Sequence, residues 1–169
     1  LKETLSRKWK LVGSSPAMQP LMSQIQMAAN SNSSVLISGE SGTGKELVAR
    51  LLHELSPRSK MPFVEVNCAA IPQELIESEL FGHEKGSFTG ASEKKQGKLE
   101  LADRGTLFLD EVADMTLQTQ AKVLRAIETQ EFQRVGGSKT LKVDLRVISA
   151  TNKNLTNEVK KATFREDLY

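Results

Sequence analysis

The sequence is poor in the residues that stabilise secreted or membrane-embedded proteins. Cys68 is the single cysteine among 169 residues, which excludes an internal disulfide framework and a metal site built from several cysteines. No apolar run approaches the roughly 18 residues of a membrane-spanning helix, and no charged-then-apolar leader opens the chain. The net charge of +2 is too small for a strong attraction to nucleic acid. These shortages indicate a cytoplasmic protein with no membrane partner.

The length and the hydrophobic fraction of 38% are typical of one globular domain. Residues 1–12, which place Leu1, Leu5 and Trp9 on one side of a possible helix, are interpreted as a linker from a preceding domain. A basic arm that contacts nucleic acid is the alternative for this segment. The domain itself is expected over residues 13–169. Because the sequence stops inside the charged, helix-like phrase "FREDLY", we interpret it as part of a longer protein.

Short apolar runs alternate with helical patterns along most of the chain. The order is "SVLIS", "KELVARLLHEL", "FVEV", "PQELIESELF", "GTLFLD", "LQTQAKVLRAIET" and "DLRVISAT". This alternation predicts an α/β fold with a parallel sheet covered by helices on both faces, since parallel strands need long crossovers. Before the first strand, Ser15 and Pro16 are predicted to begin a helix. Gly136 and Gly137 are flanked by two strand-like runs, which predicts a hairpin.

The segment "GESGTGKE" matches the phosphate-binding pattern G-x-x-x-x-G-K and lies between the apolar strand "VLIS" and a predicted helix. Its glycines permit backbone conformations in which successive N–H groups face phosphate oxygens. The following helix adds its positive N-terminal end, and the lysine can reach the terminal phosphates as a point charge. We therefore predict a nucleotide site formed by Gly39, Glu40, Ser41, Gly42, Thr43, Gly44, Lys45 and Glu46.

A second part of the predicted site is the apolar strand "GTLFLDE", which ends in Asp110 and Glu111. In a parallel sheet this strand end lies beside the phosphate loop. Asp110 is predicted to hold Mg²⁺, and Glu111 is suited to polarise an attacking water. Glu46 stands where Ser or Thr would contact the metal ion, so water or the neighbouring Thr43 has to replace that ligand.

The strand "ISATN" ends in Thr151 and Asn152, which are placed to sense or position the terminal phosphate. The string "TNKN" invites comparison with the guanine-reading N-K-x-D pattern, but Leu155 stands where the aspartate would be. No glycine follows Asp110 at the third position, as GTPases require. The sequence therefore favours ATP over GTP.

Six phrases together resemble the AAA+ domain of bacterial sigma-54-dependent transcription activators of the nitrogen-regulation type. They are "GESGTGKE", "ELFGHEKGSFTGA", "GTLFLDE", "RVGG", "RVISATN" and "FREDLY". The resemblance runs from about Leu11 onward and implies a three-layer sandwich around a parallel central sheet, with a helical lid expected beyond Tyr169. It also implies a ring, hexamer or heptamer, and a glutamate at Glu46 is usual in this family. DNA contact would come only through a domain that these residues do not contain.

The most specific phrase is the glycine-rich "GSFTGA", which resembles the family's G-A-F-T-G-A loop. We call it the GSFTGA segment; it comprises Gly86, Ser87, Phe88, Thr89, Gly90 and Ala91. An aromatic side chain on such a segment indicates contact with a partner, although Phe88 packed back onto its own domain is the alternative. The resemblance implies that the partner is the sigma-54 RNA polymerase holoenzyme. Ser87 departs from the family's alanine.

The resemblance assigns two further residues. Asn67 in "VNCAA" resembles the switch residue that holds the catalytic glutamate, here Glu111, according to the bound nucleotide. Arg165 in "FRED" resembles the first arginine finger, which reaches the nucleotide of the adjacent subunit. His53 and His83 match no catalytic position and are interpreted as surface residues, and Cys68 is interpreted as a small buried apolar residue.

Two functions follow from these observations. The first is an ATP-hydrolysing ring motor that remodels the sigma-54 RNA polymerase complex so that transcription can start. The alternative is a regulatory or assembly module that binds nucleotide and oligomerises without productive turnover. Glu111, Arg165 and the GSFTGA segment favour the motor, because a binding module requires none of them. A third possibility, a DNA-binding protein, has no motif in this sequence.

Overall fold

A computed structural model describes residues 18–39, 44–86 and 93–151, with side chains from residue 23 onward. Five helices lie in these ranges: α1 Met18–Ala29, α2 Lys45–Glu54, α3 Gln73–Phe81, α4 Lys98–Leu101 and α5 Leu117–Thr129. The first four strands are β1 Val35–Ser38, β2 Phe63–Asn67, β3 Gly82–His83 and β4 Lys95–Gln96. The remaining strands are β5 Thr106–Asp110, β6 Glu131–Gln133, β7 Thr140–Lys142 and β8 Arg146–Thr151. No helix in these ranges combines the length and the apolar character needed to cross a membrane.

The central sheet has the strand order β1-β8-β5-β2, and every neighbouring pair is parallel. Phe108 in β5 lies in register between Glu65 of β2 and Ile148 of β8. Each connection between sequential strands of this sheet contains at least one helix, as parallel pairing requires. The predicted α/β class is therefore confirmed.

Helices cover both faces of the sheet. Leu107 and Leu109 of β5 pack on one face with α3, α4 and α5, whereas Phe108 packs on the other face with α1 and α2. Side chains alternate between faces along a strand, so a strand buried on both sides reads as the continuous apolar run "TLFL". Burial of each large apolar side chain contributes about 1.5–3 kcal/mol. The result is the three-layer sandwich that the resemblance implied.

The bounds of α5 follow from local sequence. Thr116 precedes the helix, and its hydroxyl oxygen accepts a hydrogen bond from the backbone N–H of Thr119 at 3.2 Å. Gln130 follows it with a φ of 56°, the left-handed conformation that commonly ends helices. The predicted hairpin is also present as the antiparallel pair β6 and β7. The two residues predicted to begin α1, Ser15 and Pro16, lie outside the described ranges.

The prediction that His53 and His83 lie on the surface is wrong, since they are 4% and 8% exposed. Burial is tolerated because both ring nitrogens of each histidine have protein partners, which replace the lost water. Nδ1 of His53 lies 2.8 Å from the Thr106 hydroxyl and Nε2 lies 3.0 Å from the Met61 carbonyl oxygen. Burial lowers the pKa of His53. Cys68 is buried as predicted, and its burial raises the pKa of the thiol to about 12.

Candidate functional site

The candidate nucleotide site lies at the carboxyl edge of the central sheet. The crossover that follows β1 runs on one face, and the crossovers that follow β2 and β5 run on the other. Such a change of face opens a crevice where ligands of α/β proteins bind. Gly39, directly after β1, donates its backbone N–H to the carbonyl oxygen of Thr151 at 3.2 Å, which joins the ends of β1 and β8.

Lys45 is the first residue of α2 and is only 8% exposed. The helix begins after Gly44, whose φ of 83° is a left-handed conformation that glycine adopts without strain. The Lys45 ammonium donates to the carbonyl oxygen of Gly39 at 2.8 Å and lies 3.4 Å from Oε1 of Glu111. The lysine is therefore held between the end of β1 and the acidic end of β5.

Asp110 carries a buried carboxylate oxygen, Oδ1, with no hydrogen-bond partner in the part of the chain that the structure describes. Burial raises the pKa of Asp110, the charge of Glu111 raises it further, and Lys45 opposes both. A buried acceptor without a partner destabilises a fold unless a ligand satisfies it. Mg²⁺ typically takes one or two carboxylates and completes its shell with nucleotide phosphates and water. Asp110 therefore fits the metal ligand that the sequence predicts.

Glu111 has a φ of 56°, which is uncommon for a residue other than glycine. Such a conformation costs of order 1–3 kcal/mol and is found most often at functional sites. It turns the chain sharply after β5 and brings the Glu111 carboxylate to the Lys45 ammonium. A carboxylate in this position can accept a proton from a water molecule near the phosphates.

Asn67 ends β2 in register with Asp110 of the neighbouring strand. Its side-chain oxygen accepts a hydrogen bond from the backbone N–H of Ala69 at 3.1 Å, and the N–H of Cys68 donates to the Asp110 carbonyl oxygen at 2.9 Å. These contacts fix the end of β2 beside the acidic end of β5. The structure thus places the predicted switch residue at the same edge as the predicted base.

Glu46 is exposed and forms an ion pair with Arg50, one turn further along α2, at 3.3 Å. Arg50 also contacts Glu65 of β2 at 3.4 Å. Burial raises the pKa of Glu65, and the nearby charge of Glu46 raises it further. Sequence reasoning missed Arg50 and Glu65. The i,i+4 spacing of Glu46 and Arg50 was a usable signal, whereas the contact with β2 depends on the tertiary fold.

Three chain segments contact one another beside the described residues that flank the GSFTGA segment: residues 82–84, 95–97 and 134–135. We call them the loop base. Arg134 binds Glu100 with two parallel hydrogen bonds of 2.8 and 2.9 Å and binds Glu84 at 3.1 Å. These ion pairs raise the pKa of Arg134. Arg134 belongs to the phrase "RVGG", from which no role for it was predicted.

The remaining predicted site residues lie outside the described ranges, and their roles stay predictions. In the phosphate loop these are Glu40, Ser41, Gly42 and Thr43. In the GSFTGA segment they are Ser87, Phe88, Thr89, Gly90 and Ala91, whereas Gly86 is described and has a φ of 77°. The other two are Asn152 and Arg165.

Residues 11–169 match the family described as the Sigma-54 interaction domain. The chain is 60% identical over 159 residues to a Nif-specific regulatory protein of Azorhizobium caulinodans, covering 94% of the chain and 26% of that protein. It is 54% identical over 172 residues to the regulatory protein AtoC of Escherichia coli, covering all of the chain and 37% of that protein. The chain therefore spans well under half of these curated relatives.

Solved structures with the same fold include NtrX from Brucella abortus in complex with ATP. It is 48% identical, has a TM-score of 0.87, and the match covers 99% of this chain and 36% of NtrX. NtrX in complex with ADP matches with a TM-score of 0.86, 48% identity and coverage of 99% and 37%. The P-loop NTPase domain of a sigma-54 activator from Escherichia coli, with 17% identity, a TM-score of 0.59 and coverage of 88% and 97%, supports the fold alone.

Proposed function

The chain belongs to the Sigma-54 interaction domain family, and from this premise we propose that it is an ATP-hydrolysing AAA+ motor domain that remodels the sigma-54 RNA polymerase holoenzyme. The family consists of nucleotide-binding bacterial transcription regulators with a P-loop NTPase fold. We further propose that residues 13–169 form the α/β part of this domain and that residues 1–12 link it to a preceding domain. The ring is a hexamer or heptamer, and DNA contact belongs to another domain.

The observation that carries the proposal is the convergence of Lys45, Asp110 and Glu111 around a buried carboxylate oxygen that lacks a partner in the described ranges. In this arrangement the backbone N–H groups of the phosphate loop after Gly39 and the Lys45 ammonium hold the phosphates of ATP. Asp110 holds Mg²⁺, which supplies neutralising charge at the terminal phosphates when it is bound. The complexes of NtrX with ATP and with ADP support the same ligand class here.

Hydrolysis requires Lys45 to exchange its contact with Glu111 for phosphate oxygens. Lys45 and Glu111 are paired at 3.4 Å, so this exchange frees the Glu111 carboxylate to accept a proton from the attacking water. Asn67 then holds Glu111 in one nucleotide state and releases it in the other. Thr151, the last residue of β8, and Asn152, which follows it in sequence, are proposed to sense the terminal phosphate.

Arg165 is proposed to act on the nucleotide of the adjacent subunit. A cationic finger of this kind contributes on the order of 10³ to 10⁵ in rate, so activity should rise faster than linearly with protein concentration. Mixtures of Arg165→Ala and Lys45→Ala subunits should recover hydrolysis at mixed interfaces, measured as phosphate release. Absence of recovery at every ratio would mean that Arg165 serves its own subunit or only the fold.

The GSFTGA segment is proposed to bind sigma-54 in one nucleotide state. A partner can select one state of the segment only if nucleotide stabilises that state over the others. Phe88 and Thr89 are proposed to make this contact.

The test is capture of purified sigma-54 by the full-length protein in the presence of ADP and aluminium fluoride. Phe88→Ala should hydrolyse ATP within a few-fold of the unmodified protein and fail to capture sigma-54, and Ser87→Ala should capture at least as well. Nucleotide-dependent capture by Phe88→Ala at the unmodified level would overturn the proposal. A nucleotide-driven assembly module would then describe the chain better.

A further inference from the structure

The loop base joins the two flanks of the GSFTGA segment through their backbones. Strands β3 and β4 pair antiparallel, with Gly82 opposite Gln96 and His83 opposite Lys95. Gly82 and Gly97 approach so closely that a Cβ on Gly97 would lie 2.3 Å from the backbone nitrogen of Gly82. No side chain fits at this contact, so the outgoing and returning chain are held in direct backbone contact.

The third segment of the loop base adds two backbone hydrogen bonds. The N–H of Glu84 donates to the carbonyl oxygen of Val135 at 3.0 Å, and the N–H of Val135 donates to that of Gly82 at 2.9 Å. The outgoing flank is thereby paired on both sides, with β4 on one side and Val135 on the other. The backbone of His83 lies at the centre of this arrangement.

The side chain of His83 adds a link between α3 and the returning flank. Its Nδ1 lies 2.5 Å from the Ser78 hydroxyl in the last turns of α3, and its Nε2 lies 2.8 Å from the carbonyl oxygen of Glu93. A carbonyl oxygen only accepts hydrogen bonds, so Nε2 carries the proton and donates to Glu93. Nδ1 pairs with the Ser78 hydroxyl, which can donate or accept. One buried ring thus connects α3, the helix before the GSFTGA segment, to Glu93, which lies shortly after that segment.

We propose that His83 is a positioning residue for partner binding: by donating from the outgoing flank to the Glu93 carbonyl on the returning flank, it keeps the two flanks of the GSFTGA segment in a fixed relation. This inference rests on the proposed function of that segment. A binding segment whose flanks can separate samples more conformations, and ordering them on binding lowers affinity. Loss of the link should therefore weaken capture of sigma-54 while the distant nucleotide chemistry continues.

Two conservative variants separate the two hydrogen bonds. The amide nitrogen of glutamine can occupy the position of Nε2 and donate to Glu93, whereas the amide of asparagine reaches only the position of Nδ1, near Ser78. His83→Gln should therefore capture sigma-54 nearly as well as the unmodified full-length protein. His83→Asn and His83→Ala should bind sigma-54 about tenfold more weakly, because both lose the buried hydrogen bond to the Glu93 carbonyl that joins the two flanks. ATP turnover of all three should stay within a few-fold of the unmodified protein.

His53 provides the matched control. It is similarly buried, both of its ring nitrogens have partners at 2.8 and 3.0 Å, and those partners, Thr106 and Met61, belong to neither flank of the GSFTGA segment. His53→Ala should lower the thermal unfolding temperature about as much as His83→Ala. Its capture of sigma-54, normalised to the folded fraction measured by circular dichroism, should stay at the unmodified level.

The outcomes separate this inference from the proposed function. If the unmodified protein does not capture sigma-54, or if Phe88→Ala captures it fully, the proposed function fails, and the inference fails with it. If Phe88→Ala loses capture but His83→Ala retains it at the unmodified level, the inference alone is wrong. Equal losses in His83→Gln, His83→Asn and His53→Ala after normalisation would reduce His83 to a structural residue and would also overturn the inference.

Discussion

Charged side chains lie both at the carboxyl edge of the central sheet, here called the nucleotide edge, and at the loop base. The two regions differ in whether these charges have partners within the described residues. At the nucleotide edge, Oδ1 of Asp110 is buried without a partner in the described ranges, and the adjacent Glu111 has a left-handed backbone. At the loop base, Arg134 is held by two carboxylates with near-ideal distances. The first region tolerates local instability, whereas the second is stabilised by its own pairs.

This difference indicates separate tasks. Binding sites commonly keep groups in arrangements that only a ligand completes, and the rest of the fold supplies the stability that this requires. Under the proposed function, the GSFTGA segment binds a partner, and such a segment needs flanks that stay together. The comparison predicts that substitutions at the nucleotide edge change ligand chemistry most, and that substitutions at the loop base change stability and partner capture.

The largest expected effect belongs to Lys45→Ala, which should lose nucleotide binding and with it turnover. The substitution removes a charge-assisted contact to the phosphates and leaves the Glu111 carboxylate without its 3.4 Å partner, facing the phosphate charge. Affinity for ATP should fall about 100-fold or more, as expected when one hydrogen bond to a charged group is lost and an unpaired carboxylate remains near the phosphates. Isothermal calorimetry on the full-length protein measures this, with the exposed Lys60→Ala as control. Equal affinity in Lys45→Ala and the unmodified protein would exclude this site.

Glu111→Gln should abolish turnover without abolishing binding. The amide keeps the size of the side chain but cannot accept a proton from water, so the rate should fall about 10² to 10⁴-fold. Phosphate release and calorimetry on the same preparation separate the two effects, and Glu74→Gln on the exposed side of α3 serves as control. Hydrolysis at the unmodified rate would assign the base to another residue and leave Glu111 a structural carboxylate.

Local patterns predicted the central sheet and its helices well. The periodic run "LQTQAKVLRAIET" coincides with α5, and the continuous apolar run of β5 indicated a strand buried on both faces. The two-residue strands β3 and β4 and the burial of His53 and His83 were not predictable in this way. Their partners, such as Glu93 for His83 and Met61 for His53, become neighbours only in the folded chain. Periodicity carries no information about such contacts.

The candidate site shows the same division. Residues 39–46, and Asp110 with Glu111, could be predicted as site residues because the phosphate loop and the acidic strand end are each continuous in sequence. The Arg50 and Glu65 pair was not identified, because it joins α2 to β2 through the tertiary fold. The register of Asn67 with Asp110 was likewise invisible in sequence, although resemblance to a family supplied the residue.

Arg134→Met tests the stability of the loop base. Both Arg134 and Glu100 have side chains that are only 13% exposed, so the substitution leaves a largely buried carboxylate without its charge partner. The free energy of unfolding should fall by about 2 kcal/mol, between the values for exposed and fully buried pairs. Urea denaturation measures this, and adding Glu100→Gln should restore part of the loss. If Arg134→Met had the same urea midpoint as the unmodified protein, the ion pairs of the loop base would not stabilise it, and the two regions would not differ in this respect.

The smallest effect has the opposite sign and belongs to Asp110→Asn. In the nucleotide-free protein this change replaces a buried carboxylate, unpartnered in the described ranges, by a neutral amide, which is easier to bury. The free energy of unfolding at pH 7 should therefore rise by about 1 kcal/mol.

The effect of Asp110→Asn should depend on pH. The pKa of Asp110 is raised in the folded state above its usual 3.8, so the native protein takes up this proton at a higher pH than the unfolded chain does. The stability that protonation of Asp110 contributes is complete below the unfolded pKa and is lost as pH rises through the folded pKa. The advantage of Asp110→Asn should therefore be greatest at neutral pH and shrink as the pH falls through the folded pKa of Asp110. Urea denaturation between pH 4 and pH 7 follows this trend, and an Asp110→Asn protein less stable than the unmodified one at pH 7 would show that the carboxylate is already satisfied.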